Sequence, residues 1–439
     1  MRRSNLLKVA AVGSIVGLTL AGCAASEEAT TSDTGSSTDG SSSSGDPIEI
    51  SLWSHEEGNA ALDILQNITN EYNASQTDFE VVIQAFPGES YNDSIVAAGA
   101  ANDLPCIIDV DGPIMPNWAW AGYMQPLQNI DQDRLDLIVD GAKGYYNGDL
   151  YAIGVWDAAT AIITRQSILD AYDIRVPTIE NPWTRAEFDA ALATMASSGE
   201  FEHVLDMGTA WTGEWYPYAY SPFLQSFGGD LIDRSNYETA EGVLNGPEAI
   251  EFGEWWQSLF ENDYVSPQEP GDRGRFREGT VAMQFNGNWD APASYEVFGD
   301  DLLVLPPPDF GNGPVIGAAS WQFGVSGTCE HPEAAEAWIN FALQDKYLVD
   351  FSNVIGLIPA TAAASADSDL YYEGSPFENF VELGAELGLI RPPTPAYPVI
   401  ALEFEKAMAD IRDGKDVQAA LDAAVDAIDA DLAANNFYE

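Results

Sequence analysis

Positive charge is scarce in this chain. Its 439 residues carry 17 Lys and Arg against 70 Asp and Glu, a formal charge of −53. Nucleic acid and anionic lipid surfaces repel such a chain, so neither is expected as a partner. Acidity on this scale suits a salt-rich or highly charged exterior, where screening limits self-repulsion. Histidine is almost as rare: His55, His203 and His331 are widely spaced, a weak basis for a metal centre or a catalytic triad. There are three cysteines and no C-x-x-C, so a zinc site of that type has no support. No G-x-S-x-G, H-E-x-x-H, Walker A or G-x-G-x-x-G segment occurs. No metal and no cofactor are therefore expected. Internal repeats are missing too, which counts against a structural or adhesive surface protein. The apolar run Val9–Leu20 is too short for a stable membrane span.

What precedes and follows that run gives it a meaning. Arg2, Arg3 and Lys8 form a positive leader, and Leu20-Ala21-Gly22-Cys23 closes it. Residues 1–22 read as a signal peptide. The ending resembles a bacterial lipobox, in which Cys23 is lipidated and becomes the first mature residue. The Arg pair hints at twin-arginine export, but Asn5 stands where that signal wants an apolar residue. Removing Arg2, Arg3 and Lys8, and no acid, leaves 14 basic against 70 acidic residues, a net of −56. Residues 23–46 comprise the Cys and a Ser, Thr, Gly, Asp and Glu segment that cannot bury enough surface to fold and reads as a flexible tether. Lipid, tether and domain describe a protein anchored to the outer face of the cell membrane.

From about Pro47 onward the chain is longer than one core usually supports, so two lobes are expected. Ile48, Ile50 and Leu52 alternate with polar residues as in a strand. Ala61, Leu65, Ile68 and Tyr72 recur at helical spacing, and 79–86 and 106–111 read as further strands. Strand, helix, strand, helix, strand is the α/β pattern. In open α/β sheets ligands gather beyond the carboxyl ends of strands, and the strand ends here carry Glu56, Glu57 and Asp111. The stretch 275–290, RFREGTVAMQFNGNWD, holds a helix end at Gly279, an apolar strand and then Trp289-Asp290. A Trp there can stack on a ligand and an Asp can bind its hydroxyls. The window 211–220 is the most aromatic in the chain. Its rings follow neither helical nor strand spacing, which favours a cleft role for Trp211 or Tyr216. Trp255-Trp256 and Trp338 lie in helical patterns and read as core. Carboxylates at strand ends also fit a glycoside hydrolase, the alternative to a pure binding protein.

Phe276, Gly279, Ala282, Met283, Gly287 and Trp289 resemble the F-x-x-G-x-x-A-M…G-x-W signature of the bacterial extracellular solute-binding proteins of the maltose-binding type, family 1. Further segments are similar in order: 103–109 (DLPCIID), 121–127 (AGYMQPL), 148–154 (GDLYAIG), 317–325 (GAASWQFGV), 331–341 (HPEAAEAWINF), 356–360 (GLIPA) and 391–397 (RPPTPAY). The departures are Cys106 where Asp is common, and Ala152 and Gly154 in place of Gly and Pro. The resemblance implies a two-lobed α/β fold of the type II periplasmic-binding-protein class, with a ligand cleft between lobes. It gives residues 47–155 and 300–345 to the first lobe and 156–299 and 346–439 to the second. It implies a monomeric lipoprotein of an ABC importer that captures a carbohydrate (a di- or oligosaccharide, or a related glycoside or polyol) and hands it to membrane permease subunits, without catalysis. The expected ligand-binding residues are Trp289, Asp290, Trp156, Asp157, Glu56, Glu57, Asp111, Trp211, Tyr216, Trp321 and Arg391. The family topology also puts Cys106 and Cys329 in one lobe, where they either bridge or stay as buried thiols.

Overall fold

The computed structural model describes residues 46–56, 60–268, 274–318 and 321–439. Cys23, its leader and its tether lie outside the described residues, as does Glu57. Within Asp46–Glu439, one compact unit, two sheets organise the chain.

The larger sheet has seven strands. Its centre is parallel: Ile48–Ser54 pairs with Phe79–Ala85 on one side and Ile107–Asp111 on the other. Helices Ala60–Ser75 and Gly88–Ala101 make the crossovers that parallel pairing requires. Ile107–Asp111 is buried along its whole length, as a central strand covered on both faces should be. Next to it runs Trp321–Ser326, antiparallel, which returns from far along the chain and pairs in turn with Asp149–Ile153. The smaller sheet orders Leu302–Leu305, Thr160–Arg165, Val281–Gly287 and His203–Asp206.

Each sheet carries its own apolar core. Around the larger one, Leu52, Ile68, Ile107, Phe323 and Trp338 are all but fully buried. Around the smaller one, Phe188, Tyr220, Phe252, Trp256, Met283 and Phe404 are. Trp255, Trp256 and Trp338 are thus core residues, as their helical spacing predicts. Thr184 caps the helix Arg185–Ser198 with a reciprocal Glu187 box, which satisfies two of the helix's orphan N–H groups. Gly279, at φ +75°, ends the helix Gly274–Glu278.

Two expected boundaries shift. Leu302–Leu305, assigned to the first lobe, is an edge strand of the smaller sheet, antiparallel to Thr160–Arg165; the chain rejoins the larger sheet only at Trp321. The helix Asp345–Ile355, assigned to the second lobe, buries Tyr347, Leu348 and Phe351 in the core of the larger sheet. Both differences come from segments whose apolar pattern fits either core, so the pattern alone does not choose.

The chain passes between the sheets at short ladders. Trp156–Asp157 pairs antiparallel with Ile358–Pro359, and Ile316–Ala318 pairs parallel with Gly388–Ile390. Asn288, fully buried, ties together the two segments of the first of these ladders. Its Oδ1 accepts from the Ala159 N–H at 2.9 Å, and its Nδ2 donates to the Gly356 carbonyl at 2.8 Å. Cys106 and Cys329 form a disulfide with Cα atoms 4.5 Å apart, which resolves the choice left open above in favour of the bridge.

Candidate functional site

The carboxyl ends of strands from both sheets face a cavity of about 280 Å³. From the larger sheet come Glu56 and Asp111, at carboxyl ends, and Trp321, at the amino end of its antiparallel strand. From the smaller come Trp289, just past Val281–Gly287, and Trp211, Glu214, Trp215 and Tyr218, which follow His203–Asp206. Trp156, Ala158 and Leu357 from the crossings, and Arg391, complete the wall.

Local sequence explains how the rings are held. A Cβ on Gly287 would lie about 2.2 Å from the Trp289 ring, so glycine lets the indole fold back over its own strand. Trp289 then sits 6.3 Å from the Trp215 ring and 6.2 Å from that of Tyr218. Trp211 meets Trp215 edge to face at 4.5 Å. Across the cavity Trp321 stacks on His55 at 3.5 Å and 14°.

His55 is itself fixed by charge. Its Nδ1 donates to Asp109 Oδ2 at 2.5 Å, and its Nε2 lies 3.2 Å from Glu56. Burial alone would lower its pKa, but Asp109 and then Glu56 outweigh that and raise it to about 10. The imidazolium is thus a fixed cation behind the Trp321 ring.

Arg391, 4% exposed, is the one Lys or Arg among the described lining residues. Its guanidinium lies 2.5 Å from Glu214 and 3.6 Å from Asp111, and 4.9 Å from the centre of the Tyr218 ring. It links the end of a central strand of the larger sheet to the start of the helix Trp215–Phe227. Tyr397 donates to the same Glu214 carboxylate at 2.7 Å. Burial raises Glu214 to about 7, with Arg391 opposing and Asp111 adding to the rise. Burial likewise raises Asp111, against the pull of Arg391 and His55. Asp157, behind Ala158, is raised by burial to about 6; its side chain fills the space a Cβ on Gly141 would need.

Seven of the eleven expected site residues therefore meet in one cavity: Glu56, Asp111, Trp156, Trp211, Trp289, Trp321 and Arg391. Asp157 stands just behind its wall, and Glu57 lies outside the described residues. Two are turned away. Asp290 is buried, 2.8 Å from both Arg277 and Gln284, where it precedes the helix Ala291–Phe298. Tyr216 points into the core of the smaller sheet, where Arg412 donates to its hydroxyl at 3.0 Å. The expectation that 211–220 lacks a helical period is also corrected, since Trp215–Phe227 is a helix despite Pro217 and Pro222. Glu214, Trp215, Tyr218 and His55 were missed as site residues. Their only signal was position: the first three stand in the aromatic window, and His55 directly precedes Glu56.

The geometry is a cavity walled by rings and hydrogen-bonding charges. The family model described as bacterial extracellular solute-binding protein matches residues 67–374, and the chain belongs to that family. The chain is 22% identical to the crystal structure of the cyclic α-maltosyl-1,6-maltose binding protein from Arthrobacter globiformis, with a TM-score of 0.71 over 88% of this chain and 98% of that one. It is 21% identical to an uncharacterized lipoprotein in the oleD 5' region of Streptomyces antibioticus, over 70% of this chain and 69% of the relative. It is 25% identical to the maltodextrin-binding protein MdxE of Bacillus subtilis, over 36% and 39%. These likenesses establish the two-lobed fold of periplasmic sugar-binding proteins.

Proposed function

We propose that this protein captures a carbohydrate outside the cell and delivers it, unchanged, to the permease of an ABC importer, held at the membrane by lipid on Cys23. The observation that carries the reading is the cavity wall itself: five Trp rings and Tyr218 beside Glu56, Asp111, Glu214 and Arg391. Ring faces cover the apolar C–H faces of a sugar, and charged groups orient its hydroxyls. The relatives named for maltose-type ligands support the same class of solute. Closure of the lobes about the crossings at Trp156–Asp157 and Ile316–Ala318 would complete the site.

Titration calorimetry against mono- and oligosaccharides tests this. A saccharide should bind, and Trp289→Ala should weaken it by about tenfold or more, the cost of losing a stacked ring. Binding that is indifferent to Trp289 would remove the cleft assignment. Turnover of a chromogenic glycoside, abolished by changing one of the wall carboxylates, would replace the carrier reading with a hydrolase.

A further inference from the structure

We propose that Asn436–Tyr438 is a clasp that holds the two lobes against each other along one flank, and that it sets saccharide affinity without touching the cavity. The second half of the inference rests on the carbohydrate reading; the first does not.

The backbone of this segment is strained. Asn436, Phe437 and Tyr438 follow the helix Val417–Ala434 with φ of +51°, +55° and +60°. Asparagine enters the left-handed region readily, but Phe and Tyr crowd their own Cβ there. Such backbone persists only where its surroundings hold it, and it gathers at clamps and switches. Ending a helix does not require it, since Gly199, Gly228 and Gly356 end three others. Here it places a ring. The Tyr438 hydroxyl donates to Asp431 Oδ2 at 2.6 Å and accepts from Asn435 Nδ2 at 3.1 Å, and the Tyr438 N–H donates to the Asn435 carbonyl at 3.0 Å. So held, the Tyr438 ring meets Trp120 edge to face, with centres 4.8 Å apart at 74°.

That pair joins the lobes. Trp120 ends the helix Met115–Trp120, whose Met115 and Trp118 pack with Ile108 and Val110 of the larger sheet. Tyr438 packs against the core of the smaller sheet, where the helix before it buries Leu421, Val425 and Ile428. Two further contacts run along the same flank. Asn117 Nδ2 donates to the Pro395 carbonyl at 2.7 Å. The helix Tyr397–Arg412 sends Tyr397 and Ala401 into the cluster around Trp118, and Phe404 and Met408 into the core of the smaller sheet. Tyr397 also donates to Glu214 in the cavity wall, so the flank is coupled to the site. Trp120 and Phe437 are each 44% exposed, and this outer pair can part without uncovering a core. A contact made in one lobe arrangement favours that arrangement. In this one the residues from both sheets face a single cavity, so the clasp favours the arrangement that holds a ligand.

The test compares the mature protein with Trp120→Ala, Tyr438→Ala and the double variant, using melting temperature as the folding control. Hydrogen exchange without ligand should show 114–121 and 395–401 losing protection in Tyr438→Ala. A segment that merely closes its own helix would loosen 428–435 and leave 114–121 unchanged, and that result would overturn the clasp. With maltose as the probe, each single variant should bind about two- to tenfold more weakly, the worth of one aromatic pair. The double variant should bind no more weakly than the weaker single one, since both delete the same contact. Phe437→Gly, which relieves strain and keeps the Tyr438 ring, should bind as the unaltered protein does. Affinity that is unchanged or tighter in the Trp120 and Tyr438 variants would overturn the link to binding. If the unaltered protein does not take maltose, that result counts against the carbohydrate reading, and hydrogen exchange alone decides the clasp.

Discussion

Tyr218→Phe should move ligand-free stability and ligand affinity in opposite directions. The substitution deletes one oxygen and keeps the ring, so the Arg391 guanidinium 4.9 Å from the ring centre and the Trp215 and Trp289 contacts at 6.2 Å survive. The oxygen sits on a residue 7% exposed and has no partner in the protein among the described residues. A buried hydroxyl left unmatched costs about 1–3 kcal/mol, and a cavity water would recover part of that. Removing it should therefore stabilise the ligand-free protein by up to about 1 kcal/mol. In a chain of this length that is a rise of about 1–2 °C in melting temperature, less than the 2–4 °C seen in smaller domains. The ligand complex loses a bond worth about 1 kcal/mol to a neutral group, or about 1.5–3 kcal/mol to a charged one, so affinity should fall by roughly 5- to 150-fold. Scanning calorimetry without ligand and titration calorimetry with it read the two effects separately. A lower melting temperature with unchanged affinity would refute the reasoning, because it would mean that the hydroxyl is bonded inside the protein and serves the fold rather than the ligand.

Gly287→Ala should displace the Trp289 ring, since the new Cβ would sit about 2.2 Å from it; binding should be lost and Trp emission altered while circular dichroism keeps the native spectrum. Glu214 has a folded pKa raised by burial to about 7 from 4.5. The folded state therefore holds its proton more tightly, and this contribution to stability is complete below about 4.5 and lost as pH rises through 7. Denaturant titrations between those values should show the ligand-free protein weakening with pH, and Glu214→Gln should flatten the dependence; an unchanged slope in the variant would exclude this carboxyl as its source. Reduction of Cys106–Cys329, which closes a separation of 223 residues, should cost about 2–5 kcal/mol, and thiol titration of unfolded, unreduced mature protein should find neither thiol free.

Much of the fold could be read along the chain because its signals are local. Alternation in Ile48–Leu52, the capping box at Thr184 and the stop at Gly279 each lie within a few residues of what they specify. The same holds for the part of the site that sits directly at strand ends: Glu56, Asp111 and Trp289 are placed by the strand before them. Other positions depend on partners far away. Asp290 looked like a ligand group because it follows Trp289, but Arg277 and Gln284 claim it. Glu214 is useful only because Arg391 and Tyr397 arrive from another part of the chain.

The aromatic window shows how a single local misreading propagates. Pro217 and Pro222 disguise the helix Trp215–Phe227, although a proline in the first turn costs no hydrogen bond because those N–H groups have no partner in the helix anyway. Once the helix is recognised, its 3.6-residue period sorts the rings. Trp215 and Tyr218, three apart, share the face that looks into the cavity. Tyr216 and Tyr220, four apart, share the face that packs into the core, with ring centres 4.9 Å apart. That Tyr218 and not Tyr216 lines the cavity is thus a matter of helical phase, about which the composition of the window says nothing. The phase is set by where the helix begins, and that point is Glu214, the residue that also anchors Arg391.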